Sequence, residues 1–197
     1  MERCRHLVQD QRARARRHAY LRDATAGVHA EVERVVDAAG FFADVARYGE
    51  YLRRMRTFHR QFEDVHLVAS PAARAHWRAG EHVAWLGEDL AALGITVQAA
   101  DPPFRRARVS DRTAALGALY VVVGSALGAR LLVGHARALV PAGRGDGYLS
   151  RLATTTDWPA FLELLEREEI SSEERLGDGA IGAFESILDV LGDRPPA

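Results

Sequence analysis

Lysine is missing from this chain: all 26 basic residues are arginine. The bias fits GC-rich bacterial coding and points to no chemistry of its own. Cysteine is nearly missing too, and a single Cys4 excludes an intrachain disulfide framework, which suits a reducing cytoplasm. Neither sign of charge is in excess, since the formal net charge is −1, and this argues against a nucleic-acid-binding surface over the whole molecule. Convincing period-two alternation of apolar and polar residues is absent, which excludes a substantial sheet. The start, Met1–His18, is crowded with Arg3, Arg5, Arg12, Arg14, Arg16 and Arg17. It holds no apolar core of about 7–15 residues, as a secretory signal needs, and reads as a peripheral, mobile basic arm.

What is present is length and helical pattern. The chain has 197 residues, 48% of them hydrophobic, enough for one globular domain with a real core. The domain is expected over 19–193, with a short tail at 194–197. Apolar positions recur at spacings of three and four, so the fold class is all-α, a single-domain helical bundle. A first helix over about 19–38 carries Leu21, Val28, Val32 and Val35 and ends at Gly40. A second over about 47–68 buries Tyr51, Leu52, Met55, Phe58 and Phe62. A third opens at Ser70-Pro71, a cap followed by proline, and stops at Gly94. A loop spans 96–108. A long central helix starts near Ser110-Asp111 and ends before Pro141, and two more are expected over about 157–169 and 172–191. The glycines at 143, 145 and 147 read as a loop.

The central helix contains Gly124-Ser125-Ala126-Leu127-Gly128, two glycines four residues apart inside one apolar run. Each helix-interior glycine costs about 1 kcal/mol relative to alanine, so the pair suggests a flat or bulky group that must approach the backbone on one face. Residues 113–129 carry no charge and also match the small-xxx-small pattern of membrane helix pairs. The stretch is short, Arg130 follows at once and no second span exists to pair with it, so a buried helix and no membrane span are expected.

A second constellation lies in the first helix. Arg22, His29 and Glu33 share one side, seven and four residues apart, beside Thr25. A histidine that ligates a metal commonly donates its other N–H to a carboxylate, which Glu33 supplies, and Arg22 suits an anionic group on the same ligand.

These residues resemble a known family. Leu21-Arg22-Asp23-Ala24-Thr25 followed by His29 is similar to the proximal motif of the heme oxygenases. Leu119-Tyr120-Val121-Val122-Val123-Gly124-Ser125-Ala126-Leu127-Gly128-Ala129 looks like their distal helix. The short bacterial, biliverdin-producing members, including the phytochrome-associated type, resemble the chain over most of its length. Lesser echoes are Tyr51-Leu52 with Phe58, Phe62 and Glu63, then Trp158-Pro159-Ala160-Phe161-Leu162 and Ala183-Phe184. Ser125 stands where the animal enzymes have aspartate, and Val123 and Ala126 replace a glutamate and an asparagine common in the bacterial relatives.

The resemblance implies a heme-oxygenase-like bundle with a distal helix kinked at its glycines, and heme as substrate and cofactor together. His29 would be the axial ligand of the heme iron. Arg22, Thr25, Glu33 and Tyr120 would complete the heme-binding set, with Gly124, Ser125 and Gly128 at the reacting face. The implied reaction is oxidative cleavage at a meso carbon by O2, giving biliverdin, Fe2+ and CO. Electrons would come from an external ferredoxin or reductase, since no flavin, nicotinamide or cluster fingerprint is present. A bacteriophytochrome or another biliverdin acceptor is the implied downstream partner. Arg112, Arg130, Arg137, Arg151, Arg167 and Arg175 are candidate propionate contacts, none assigned. Two other classes stand beside this one, a heme carrier or sensor of the same fold and a cofactor-free helical interaction protein. A di-iron oxygenase is excluded for want of paired Glu-x-x-His motifs. His59, His66, His76, His82 and His135 share no ligand spacing and read as surface or satisfied core residues.

Overall fold

A computed structural model of the chain describes residues 16–96, 109, 111–141 and 143–192, and the side chains of all these except Asp64, His66, Leu67 and Ala79. Cys4, most of the basic arm, nearly all of the 96–108 loop, the Ser110 cap and the tail lie outside the described residues. Among the described residues every regular element is helical, as the apolar spacing predicts.

Helix α1, Arg16–Ala39, starts three residues earlier than expected. Its first free amides, Arg17 N and His18 N, donate to the two carboxylate oxygens of Glu166 at 3.2 and 3.0 Å. That cap comes from a distant segment and replaces a local one. The helix ends at Gly40, whose φ of 59° is left-handed backbone. Helix α2, Val45–Gln61, is capped by Asp44, which accepts from Arg47 N at 2.8 Å. The expected continuation breaks at Phe62, and a short α3 follows, Glu63–Val68. Ser70 and Pro71 open α4, Pro71–Arg74, as predicted. The third expected helix is thus two pieces, with α5 at Ala79–Ala92. Helix α6, Arg112–Leu139, is capped by Asp111 and runs unbroken through Gly124 and Gly128. Helix α7, Gly147–Thr155, falls where a loop was expected. Asp89 of α5 accepts from its first amides, Gly147 N at 2.9 Å and Tyr148 N at 2.7 Å, so a glycine-rich start becomes helical through a cap from another element. Asp157 and Ser172 cap the last two helices, α8, Trp158–Arg167, and α9, Glu173–Leu191.

The central seam is α6 against α9. A Cβ at Gly117 would lie 2.0 Å from the carbonyl oxygen of Leu176, and one at Gly179 would lie 2.0 Å from that of Ala114. The two backbones touch there, which is where this fold itself requires glycine. Helix α1 lies along α9 in the same direction: Arg16 pairs with Glu173, Tyr20 packs over Gly177 and His29 meets Phe184. By length and composition α6 could cross a bilayer, but 56% of its most apolar window is buried inside the protein, as befits a core helix.

Candidate functional site

Helices α1 and α6 meet at two ends and part in the middle. At one end the ring of His18 lies 6.0 Å from that of Tyr120; at the other Phe42, just beyond α1, lies 5.9 Å from His135. Between these contacts the two helices barely touch, and both lean on α9. On α6, residues 120, 124, 127, 128, 131 and 135 fall on one stripe at helical spacing, so the face bounded by the two end contacts is Gly124, Leu127, Gly128 and Leu131. On α1 the stripe through His18 contains Arg22, Thr25, Ala26, His29 and Glu33. The proximal and distal sets therefore lie on the two stripes that run between these end contacts, on either side of the gap over α9, hereafter the slot. His29 stands about midway along one wall and Gly128 about midway along the other.

The slot is open. Leu127 and Leu131 are 43% and 74% exposed, the largest apolar exposures on α6. Among the described residues a Cβ at Gly128 would meet nothing within 4 Å, so no neighbour there accounts for that glycine. Gly124 differs: a Cβ there would lie 3.3 Å from Cη2 and Cζ3 of Trp158. The close approach predicted for both glycines is thus an indole at Gly124, and at Gly128 a space.

His29 is about half exposed, its ring set edge-on to Phe184 at 5.3 Å. Its Nδ1 lies 3.5 Å from Glu33 Oε1, which leaves Nε2 free for a ligand. Arg22 is exposed and pairs with the adjacent Asp23 at 3.1 Å, a weak surface contact that a bound anion can displace. Thr25 is buried and its hydroxyl donates to Leu21 O at 2.8 Å within its own helix. Ser125 likewise donates to Val122 O at 2.6 Å, which leaves its oxygen as an acceptor. Val123 and Ala126 are buried in the core away from the slot.

The closed end was missed in the sequence. Trp158 packs on Tyr120 at 5.3 Å and takes His18 edge-on at 6.0 Å, so three rings from α8, α6 and α1 seal it. Burial, then the Arg22 charge, lowers the His18 pKa against a pull from Glu166, and burial raises that of Tyr120. The basic arm expected over Met1–His18 overlaps the start of α1, so His18 belongs to the helix. Its spacing of four from Arg22 was the available signal.

The unassigned arginines find partners in the fold: Arg137 with Asp146, Arg151 with Glu88, Arg167 with Glu163, Arg175 with Asp111, and Arg130 with the carbonyl of Ala153. No partner appears for Arg112 among the described residues. Two histidines depart from expectation. His59 and His82 are buried and stacked, and among the described residues the Nδ1 of each has no hydrogen-bond partner, so neither is a fully satisfied core residue. No cluster of three or more His, Cys, Asp or Glu able to hold a metal ion occurs among the described residues, so a metal at His29 would need its other ligands from a bound group. No protein-family model matches the chain, and no characterised protein is significantly similar to it.

Proposed function

We propose that the chain is a heme oxygenase that takes heme flat into the slot between α1 and α6. What supports this is that the stripes bearing His29 and Gly128 run between the same two end contacts of helices that otherwise barely touch. A slot of that kind suits a planar, mostly apolar ligand. The one imidazole on its walls away from the ends is that of His29, and the opposite wall offers Leu127, Leu131 and bare glycine backbone. The free Nε2 of His29 would hold the iron, Glu33 would orient the ring through Nδ1, and Arg22 would meet a propionate. When bound, the heme supplies iron for O2 activation and the meso carbon that is cleaved. Gly128 keeps the far wall low enough for a small diatomic beside the ring plane. Ser125 and the carbonyls near Gly124, through their second lone pairs, are the groups able to hold water for proton delivery. Electrons would come from a separate ferredoxin or reductase, and biliverdin, Fe2+ and CO would leave.

A second reading, a heme carrier or sensor, is favoured by one feature. Between Tyr120 and His135 the slot-facing stripe of α6 holds no titratable side chain, and the Ser125 proton is committed to Val122. One experiment separates the readings. The purified protein is mixed with hemin, its visible spectrum recorded, and a reductant with ferredoxin supplied in air. A histidine-ligated spectrum that decays to biliverdin supports the oxygenase, and a stable one supports the carrier. No binding, or binding unchanged by His29→Ala, overturns both and leaves the helical interaction protein.

A further inference from the structure

The corner where α2, α5 and α7 meet lies apart from the slot. There the imidazoles of His59, on α2, and His82, on α5, stack face to face with centroids 4.8 Å apart and planes 11° from parallel. Both are buried. Trp77 covers the pair from the α4–α5 connection, at 6.4 and 6.0 Å, and Trp85 closes edge-on against His82 at 4.9 Å. His59 Nε2 and the hydroxyl of Tyr148, on α7, are 2.8 Å apart, which ties α2 to α7 through one hydrogen bond.

We propose that this corner is an acid-released latch, closed by the two neutral stacked imidazoles and opened when either takes up a proton. The geometry forbids a comfortable imidazolium. Each Nδ1 is buried and meets no well-aligned hydrogen-bond partner among the described residues, so a proton placed there would be desolvated, relieved only in part at His82 by the Arg78 backbone, and it would face a second imidazole across the stack.

The surrounding groups do not reverse this. On α5, the Arg78 backbone and Glu81 favour charged His82, but burial outweighs them and holds its pKa down to about 4. Burial and then His82 depress His59 in the same way. The α7 face offers Tyr148, with Tyr48 and Tyr51 of α2 behind it, phenols held neutral by burial. Asp89 of α5, beneath the start of α7, is pushed up by burial and titrates with the opposite sign. Asp146 is also desolvated, but its bonds from Arg137, Gly143 and Ser150 hold it below the usual 3.8, under the range that matters here.

The linkage has a definite direction. Both imidazoles have folded pKa values below the unfolded one, so their contribution is complete above about pH 6.5 and is lost as pH falls towards 4. With His82 alone moving between about 4 and an ordinary 6.5, the open corner becomes about 30-fold more populated at pH 5 than at pH 8. The α6–α9 seam rests at Gly117 and Gly179 on backbone atoms of Leu176 and Ala114 rather than on imidazoles, and stays shut. Opening is therefore local.

Hydrogen exchange read by mass spectrometry on the full chain, corrected for intrinsic rates, tests this at pH 8 and pH 5. The expected result is acceleration of about 30-fold in α5 and α7, with less than threefold change in α6 and α9. His59→Phe with His82→Leu should abolish the acceleration. Uniform acceleration, or acceleration that persists in the double variant, overturns the latch. Should that variant fail to fold, the wild-type histidine resonances decide. Two of the eight should stay neutral at pH 5.5, and ordinary titration of all eight overturns the proposal.

Discussion

The indole of Trp158 rests against Gly124, with Cη2 and Cζ3 3.3 Å from where a Cβ would stand. That distance allows a methyl only if the ring shifts by a few tenths of an ångström. In the wild-type background, Gly124→Ala should therefore show little net change by urea unfolding, because the helical gain of about 1 kcal/mol is consumed by crowding. With Trp158→Ala already in place the same substitution should stabilise by about 1 kcal/mol. Equal effects in both backgrounds would mean that the contact carries no energy.

The glycines of α6 divide by what they meet. Gly117→Ala drives a methyl into the Leu176 carbonyl, a backbone atom that cannot swing aside, and should cost about 2–4 kcal/mol or prevent folding. Gly128→Ala meets open space and should stabilise the ligand-free protein by about 0.5–1 kcal/mol. Gly128→Leu should fold equally well yet weaken hemin binding at least tenfold. A glycine that the fold tolerates losing, but the ligand does not, separates the slot from the scaffold. Urea midpoints paired with hemin titrations read both quantities, and undiminished hemin affinity in Gly128→Leu would refute the close approach.

The same contrast shows what was legible in the chain. Gly40, Asp111, Asp157 and Ser172 act within their own turns, so they mark helix ends in the sequence as plainly as in the structure. Helical spacing alone puts Arg22, His29 and Glu33 on one stripe of α1, and Gly124 and Gly128 on one stripe of α6. The start of α1 on Glu166 and the start of α7 on Asp89 were hidden, because each depends on a carboxylate brought in from another helix. His59 and His82 lie on different helices, and no local period reveals that their rings stack. Trp158 is in the sequence only a lesser echo of the family pattern, because the end it seals exists only once α1, α6 and α8 have met.

Asp89 is the hidden cap with the largest expected effect. It accepts both Gly147 N and Tyr148 N, and α7 has no local side-chain cap to replace it. Asp89→Ala leaves two amides without a partner and should cost about 2–4 kcal/mol, with α7 losing protection first in hydrogen exchange. Asp89→Asn keeps one acceptor and should cost about half as much. A global loss with no preference for α7 would show that Asp89 acts through the α5 core instead.

His29 and Glu33 are exposed, so replacing either should change the stability of the ligand-free protein by no more than about 0.5 kcal/mol. Their effects belong to the bound state. Under the proposed function, His29→Ala should weaken hemin at least tenfold, with the spectrum restored by added imidazole, since the variant would lack only the axial nitrogen. Glu33→Gln should leave affinity within about threefold but move the iron reduction potential positive by tens of millivolts, because a carboxylate at Nδ1 makes the imidazole a stronger donor to ferric iron. Spectroelectrochemistry of the hemin complex reads the shift. An unchanged potential would mean that the 3.5 Å pair is only a surface contact and that Glu33 does not tune the ligand.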